Sequence, residues 1–199
     1  MKRFGALILA AGESRRIGYP KALLRWEDQS FLEKIIETLR ASRVDEIHVV
    51  VSTAGEALLR QHLHLPGVRL VVNPDPSRGQ FSSLQEGLRN LDADVVLICL
   101  VDHPKVSASV VFELKEACIA TDALAVIPRF QGRRGHPIAI KKDLISLMLD
   151  APAGASAKEV LRTCWDKVME LDTKDAGILA DIDTALDYEE FLGEEFPHA

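Results

Sequence analysis

"LILAAGESRRIGYPKALL", residues 7–24, begins as an uncharged apolar run, breaks at Ala10-Ala11-Gly12 and continues as a loop carrying Arg15, Arg16 and Lys21. A short apolar run that stops at glycine reads as a strand buried on both faces, and such strands belong to parallel sheets covered by helices. The loop then lies just past the strand's carboxyl end, where open α/β sheets bind their ligands. Gly12, Ser14 and Gly18 leave backbone N–H groups open to an anion, and the basic side chains supply countercharge. This is neither of the common phosphate loops. Five residues separate Gly12 from Gly18 and Ala22 follows Lys21, so G-x-x-x-x-G-K-[ST] fails, as does G-x-G-x-x-G. A P-loop ATPase and a dinucleotide-binding fold are both disfavoured.

Working outward, further apolar runs read as strands at Ala6–Leu9, Ile47–Val51, Leu70–Val72, Val95–Leu100, Leu124–Ile127 and Ile138–Ile140. Stretches of helical period lie between most of them: 31–41, 54–63, 82–91, 107–120, 142–149 and 157–165. Ser30 and Glu33 form a capping box that starts the first helix, and Ser82 and Ser83 are candidate caps for the third. Alternating strands and helices predict a three-layer α/β/α sandwich around a mostly parallel sheet, built as one domain over residues 1–199. The residues to watch are those just after each strand: 12–21, 73–83 and Asp102-His103-Pro104.

The 24 basic and 30 acidic residues leave a net charge of −6, which disfavours broad nonspecific nucleic-acid binding. Any anionic ligand has to meet local positive charge. Cys99, Cys118 and Cys164 show no C-x-x-C spacing, so neither a disulfide framework nor a zinc site is expected, and Cys99 reads as core. No run reaches the roughly 18–20 apolar residues of a membrane span. A cytoplasmic protein with no membrane partner is the expectation. His48 reads as structural, and His62 and His64, two apart, cannot share a helix face.

The pattern Leu9-Ala10-Ala11-Gly12-x-Ser14-x-Arg16-x-Gly18-x-Pro20-Lys21 resembles the signature of nucleotidyltransferases, in particular the MobA-like branch that attaches a nucleotide to molybdopterin. The resemblance implies a Rossmann-like fold of the nucleotide-diphospho-sugar transferase type. It implies that the backbone of Leu9, Ala10, Ala11 and Gly12, with Ser14, reads the nucleotide, while Arg16 and Lys21 hold its triphosphate. Asp102 matches a carboxylate that holds Mg²⁺, and it joins Arg16 and Lys21 as the implied catalytic set. Asp181-Ile182-Asp183-Thr184 resembles the family's closing segment, making Asp183 the second metal candidate and Asp181 the third, unless Asp183 or Thr184 only caps a last helix. Gly79, Ser82 and Ser83 resemble a segment beside base and ribose. Arg133, Arg134, Gly135 and His136 resemble a loop on the acceptor side, where two arginines suit a phosphorylated partner.

No nucleophile with an attendant base stands out, which fits direct transfer without a covalent enzyme intermediate. Ala11 matches the cytidylyl form of the family, whose guanylyl form has Gly there, so CTP is favoured over GTP. The expected partners are thus a nucleoside triphosphate, molybdopterin or another phosphorylated small molecule, and a molybdoenzyme that receives the product. Two departures stand out: His103 between Asp102 and Pro104, whether ligand-facing donor or turn residue, and residues 154–158, which lack the family's acidic residue. A sugar- or polyol-phosphate nucleotidyltransferase, a non-enzymatic molybdenum cofactor carrier and a nucleotide-binding regulator remain as alternatives.

Overall fold

In this computed structural model, which describes residues 2–193 and Phe196, the opening run becomes β1 (Phe4–Leu9), buried along its whole length. Its loop closes in a 3-10 turn at Lys21–Leu23 and a short antiparallel hairpin, β2 (Arg25–Trp26) and β3 (Gln29–Ser30). The hairpin leads straight into α1 (Phe31–Ala41), which starts where the capping box predicts. Ser30 Oγ accepts from the Glu33 N–H at 3.2 Å, and Glu33 Oε2 accepts from the Ser30 N–H at 2.8 Å.

Next come β4 (Glu46–Ser52), α2 (Thr53–His62), β5 (Val68–Asn73), α3 (Gln80–Arg89), β6 (Val95–Leu100) and α4 (Ala108–Ala120). The second half holds β7 (Ala125–Phe130), β8 (Arg133–Arg134), β9 (Ile138–Lys141), α5 (Lys142–Asp150), α6 (Ala157–Thr163), β10 (Val168–Asp172) and α7 (Ala185–Leu192). The sheet runs in the order β10-β7-β9-β6-β1-β4-β5, with β8 paired to β7. β1 is parallel to both β4 and β6, whereas β9 runs antiparallel to β6 and β7. The expected three-layer sandwich with a mostly parallel sheet is what the chain forms.

Alternation along β1 explains the layers, because successive side chains of a strand face opposite sides. Ala6 and Ile8 pack under α1, α2 and α4, among Leu32, Ile36, Leu59, Val110 and Leu114. Leu7 and Leu9 pack under α3, α5 and α6, among Leu84, Leu88, Leu144 and Val160. Burying a leucine or isoleucine side chain of this kind is worth roughly 1.5–3 kcal/mol, so both helical layers are held by the same central strand. His48, expected to be structural, lies inside β4 and is fully buried, with Nε2 2.7 Å from Glu46 Oε1.

A third, smaller cluster ties the far end of the chain to the first loop. Ile17, Leu24, Phe31, Ile182, Tyr188 and Phe196 pack together. The Tyr188 ring stacks on Phe31 with centroids 6.1 Å apart, and its hydroxyl donates to Arg25 O at 2.7 Å.

Two readings need correction, and one edge strand was not foreseen. Ser82 and Ser83 do not cap α3. The helix begins earlier, and its N-cap is Gly79 at φ +90°, a conformation that favours glycine. The helix expected over 157–165 ends at Thr163, and Trp165 falls in a separate 3-10 turn, Trp165–Lys167. The parallel edge strand β10 was not expected at all. Among the described residues no helix is long and apolar enough to cross a membrane.

Candidate active site

From β1 the chain steps outward to β4 and β5, then returns to the other side of β1 for β6. Loops after β1 and β6 therefore diverge, leaving a crevice at the strands' carboxyl ends where ligands of such sheets bind. Lys21 stands in that crevice. Although it lies in a short 3-10 turn, it is only 8% exposed. Ser14 Oγ accepts from the Lys21 N–H at 3.2 Å and holds the turn against the loop.

Lys21 Nζ lies 3.0 Å from Asp102 Oδ2 and also pairs with Asp183 Oδ1. The second oxygen of Asp183 pairs with Arg16, whose side chain is largely exposed. Burial opposes the charge on Lys21, but hydrogen bonds and attraction from Asp183 and Asp102 outweigh it, and its pKa sits above the ordinary lysine value. Asp102 shows the complement. Burial would raise its pKa, yet the hydrogen bond from His103 and the nearby Lys21 charge hold it down to about 2. The site thus keeps a fixed cation and a fixed anion side by side at neutral pH.

His103 Nδ1 is 2.9 Å from Asp102 Oδ1, and its ring meets that of His136 edge-on at 5.5 Å. His136 is pushed down to about 4 by burial and then by His103. Asp102, His103 and Asp181 each present a ligand atom, all within 4.8 Å of one another. Two carboxylates with an imidazole suit a divalent cation such as Mg²⁺ or Mn²⁺. Asp181 is raised in pKa by burial and by the Asp102 and Asp183 charges, the repulsion a bound cation would relieve. The Ile182 N–H donates to Asp102 O at 3.1 Å, which sets the register of the returning segment.

Two clefts open here. The first, about 680 Å³, is lined by residues 9–16, Lys21, Gly79, Ser83, Asp102 and Asp183. The second, about 940 Å³, is lined by Arg134, Gly135 and His136 together with the α3 start, α5 and α6. Leu9, Gly79 and Gln80 border both, so material bound in one meets material bound in the other there. The crevice gathers Leu9, Ala10, Ala11, Gly12, Ser14, Arg16, Lys21, Gly79, Ser83, Asp102 and Asp183 on one wall system. Ser82 is buried behind it, and Arg133 lines neither cleft because β8 turns it outward. Gly135 is pressed so tightly on Ile178 that a Cβ would collide with that residue's backbone carbonyl.

Asn73 opens the watched stretch 73–83, but its role was not foreseen. Only 2% exposed at the end of β5, it donates through Nδ2 to Ser82 Oγ at 3.0 Å and Ser83 Oγ at 2.9 Å. Its Oδ1 accepts from the Asp75 N–H at 3.0 Å. The side chain pins the loop that carries Gly79. An asparagine ending an apolar run just before Pro74-Asp75-Pro76 was the available signal.

Residues 6–186 match the family described as MobA-like NTP transferase domain. A probable molybdenum cofactor guanylyltransferase of Bacillus cytotoxicus is 26% identical over 136 residues, which span 67% of this chain and 66% of that relative. The molybdenum cofactor cytidylyltransferase of Escherichia coli K12 is 23% identical over 188 residues, 94% of this chain and 95% of its own. Among solved structures, Rv0371c from Mycobacterium tuberculosis H37Rv superposes with a TM-score of 0.85 at 25% identity, covering 97% of this chain and 98% of that one. A complex of Rv0371c with manganese superposes with a TM-score of 0.81 at 24% identity, covering 97% and 99%.

Proposed function

The chain belongs to the MobA-like NTP transferase family, and on that premise we propose that it is a nucleotidyltransferase acting on the molybdenum cofactor, moving CMP from CTP to the phosphate of molybdopterin and releasing pyrophosphate. The observation that carries this reading is the Lys21–Asp102–Asp183 cluster in the crevice beside β1. It brings fixed positive charge and carboxylates into the wall of the first cleft, whose border with the second runs along Leu9, Gly79 and Gln80.

The triphosphate lies over the loop after β1, with the base against Ala10, Ala11 and Gly12 and the ribose towards Gly79 and Ser83. The acceptor phosphate enters from the second cleft past Arg134, Gly135 and His136. Largely ionised at neutral pH, it needs little help from a base. One of its oxygens attacks the α-phosphorus, the bond from that phosphorus to the bridging oxygen breaks, and pyrophosphate leaves with the electron pair. Lys21 and Arg16 stabilise the charge gathering on pyrophosphate, an effect worth several kcal/mol in a partly dehydrated cleft. Asp102 and Asp183 would hold a divalent cation such as Mg²⁺, with Asp181 and His103 beside them. When bound, that ion neutralises phosphate charge and aligns the groups for in-line displacement.

Preference for CTP rests on Ala11, a buried side chain in the wall of the first cleft. Guanylyl and cytidylyl activities both occur in the names of relatives, so the base has to be tested directly. The experiment measures pyrophosphate release with each of the four triphosphates, Mg²⁺ or Mn²⁺, and molybdopterin. Fastest release with CTP is expected, and no release with any triphosphate overturns the reading.

A further inference from the structure

His103, between Asp102 and Pro104, lines neither cleft. Its two partners do: Asp102 stands in the wall of the first and His136 in the wall of the second. His103 is 8% exposed and joins them, its Nδ1–H donating to Asp102 Oδ1 at 2.9 Å and its ring meeting that of His136 edge-on. Asp102 needs such a partner. Its other oxygen is held by Lys21 Nζ at 3.0 Å, and a triphosphate bound in the first cleft recruits that ammonium, leaving the His103 N–H to fix the plane of the carboxylate.

The His103 ring has to be held in turn. Its backbone N–H donates to Leu100 O at 3.2 Å, and Pro104 confines the backbone to extended conformations, but neither restrains rotation of the side chain. Behind the ring lies a void of about 20 Å³ walled by side chains such as Ile35, Leu39, Cys99 and Val111, which offer an imidazole little to bond. Among the described residues the only ring against it is that of His136. His136 is a firm support, since its own N–H donates to Ile178 O at 3.0 Å and the Gly135 N–H donates to Pro128 O at 2.9 Å.

We propose that His103 and His136 are positioning residues: His136 braces the His103 ring, and His103 holds the Asp102 carboxylate in the orientation that a divalent cation and the reacting phosphate require. With Nδ1 committed to Asp102, His103 acts through that carboxylate and does not itself ligate the cation. The proposal rests on the nucleotidyltransfer reading and adds the groups that align its carboxylate.

The test uses Mn²⁺ alone as probe, followed through the paramagnetic resonance of the free aquo ion, with kcat for pyrophosphate release measured beside it. His103→Phe and His136→Ala should each weaken Mn²⁺ binding about tenfold and lower kcat by a similar factor, while the KM for triphosphate changes little. The double variant should be no worse than His103→Phe alone, because His136 acts through His103. His103→Asn carries an amide nitrogen two bonds from Cβ, as Nδ1 is, and should recover most of the Mn²⁺ affinity that His103→Phe loses. A crystal structure of His136→Ala should show the contact between His103 and Asp102 opened. Unchanged Mn²⁺ affinity in the single variants, additive losses in the double variant, His103→Asn as weak as His103→Phe, an intact contact in His136→Ala, or a parent that binds no Mn²⁺ overturns the proposal. A parent that binds Mn²⁺ but releases no pyrophosphate defeats the functional reading instead, and the Mn²⁺ comparison still decides the alignment.

Discussion

Lys21 Nζ and Asp102 Oδ2 meet at 3.0 Å, joining side chains 81 residues apart across the crevice between the loops that follow β1 and β6. The contact puts one charge of each sign where the proposed reaction places the transferred phosphates, and on that reading each has its own task.

Replacing either should therefore cost turnover, not folding alone. For Lys21→Ala and for Asp102→Ala, pyrophosphate release should drop at least about a hundredfold, equivalent to about 2.7 kcal/mol of transition-state stabilisation. Stopped assays at saturating substrates measure it. Near-normal turnover in either variant removes that residue from the mechanism.

Asp183 occupies both Arg16 and Lys21, so a triphosphate held by those cations has to displace its carboxylate or be helped by a metal ion drawn to the carboxylates. Asp183→Asn should bind triphosphate about tenfold more tightly in the presence of a chelator, and gain less from added Mg²⁺ than the parent does. Calorimetric titrations with and without metal compare the two. Equal metal-free affinity would show that the ion pairs do not compete with nucleotide.

Base choice can be read at one position. Ala11→Gly should move the ratio of kcat/KM values towards GTP by about tenfold, a difference of about 1.4 kcal/mol. If selectivity does not move, another segment of the cleft reads the base.

Acid should loosen the acceptor wall. His136 has a folded pKa near 4 against an ordinary 6.5. As pH falls through 6.5 the unfolded chain takes up a proton that the folded chain refuses until about 4, so stability is lost across that window and is level above it. The loss from pH 7.5 to pH 5 should be about 1–2 kcal/mol and should shrink in His136→Gln. Urea unfolding at both pH values measures it, and identical slopes for the two proteins would exclude His136 as the cause.

How far the sequence discloses this molecule depends on whether a feature is local. The Ser30–Glu33 capping box is local, and α1 begins where it says. The central strands were legible because residues such as Ile8 and Leu97 are buried on both faces and leave an unbroken apolar run. β10 was not. Its residues Val168–Asp172 are half-buried or exposed at the sheet edge, and Glu170, which faces Arg129 and Arg134, breaks the apolar run between Met169 and Leu171. The reversal of β9 leaves no trace either, since a strand's residue pattern does not encode its direction.

In the site, the loop after β1 could be read directly because glycines and cations sit together in one segment. The His103–His136 contact and the clasp of Asn73 on Ser82 and Ser83 could not, because each joins loops whose neighbourhood exists only once the sheet forms. Arg133 and Arg134 look equivalent in sequence, but β8 pairing sends successive side chains to opposite sides, and only Arg134 reaches the cleft.

The clasp of Tyr188 on Phe31 bears on how the protein is made. Asp183 follows Lys21 by 162 residues, so a nascent chain presents Arg16 and Lys21 without this acidic counterpart until the later segment has been made. On the proposed mechanism a chain cut ahead of Asp183 would keep most of its sheet yet lack one of the carboxylates assigned to the metal.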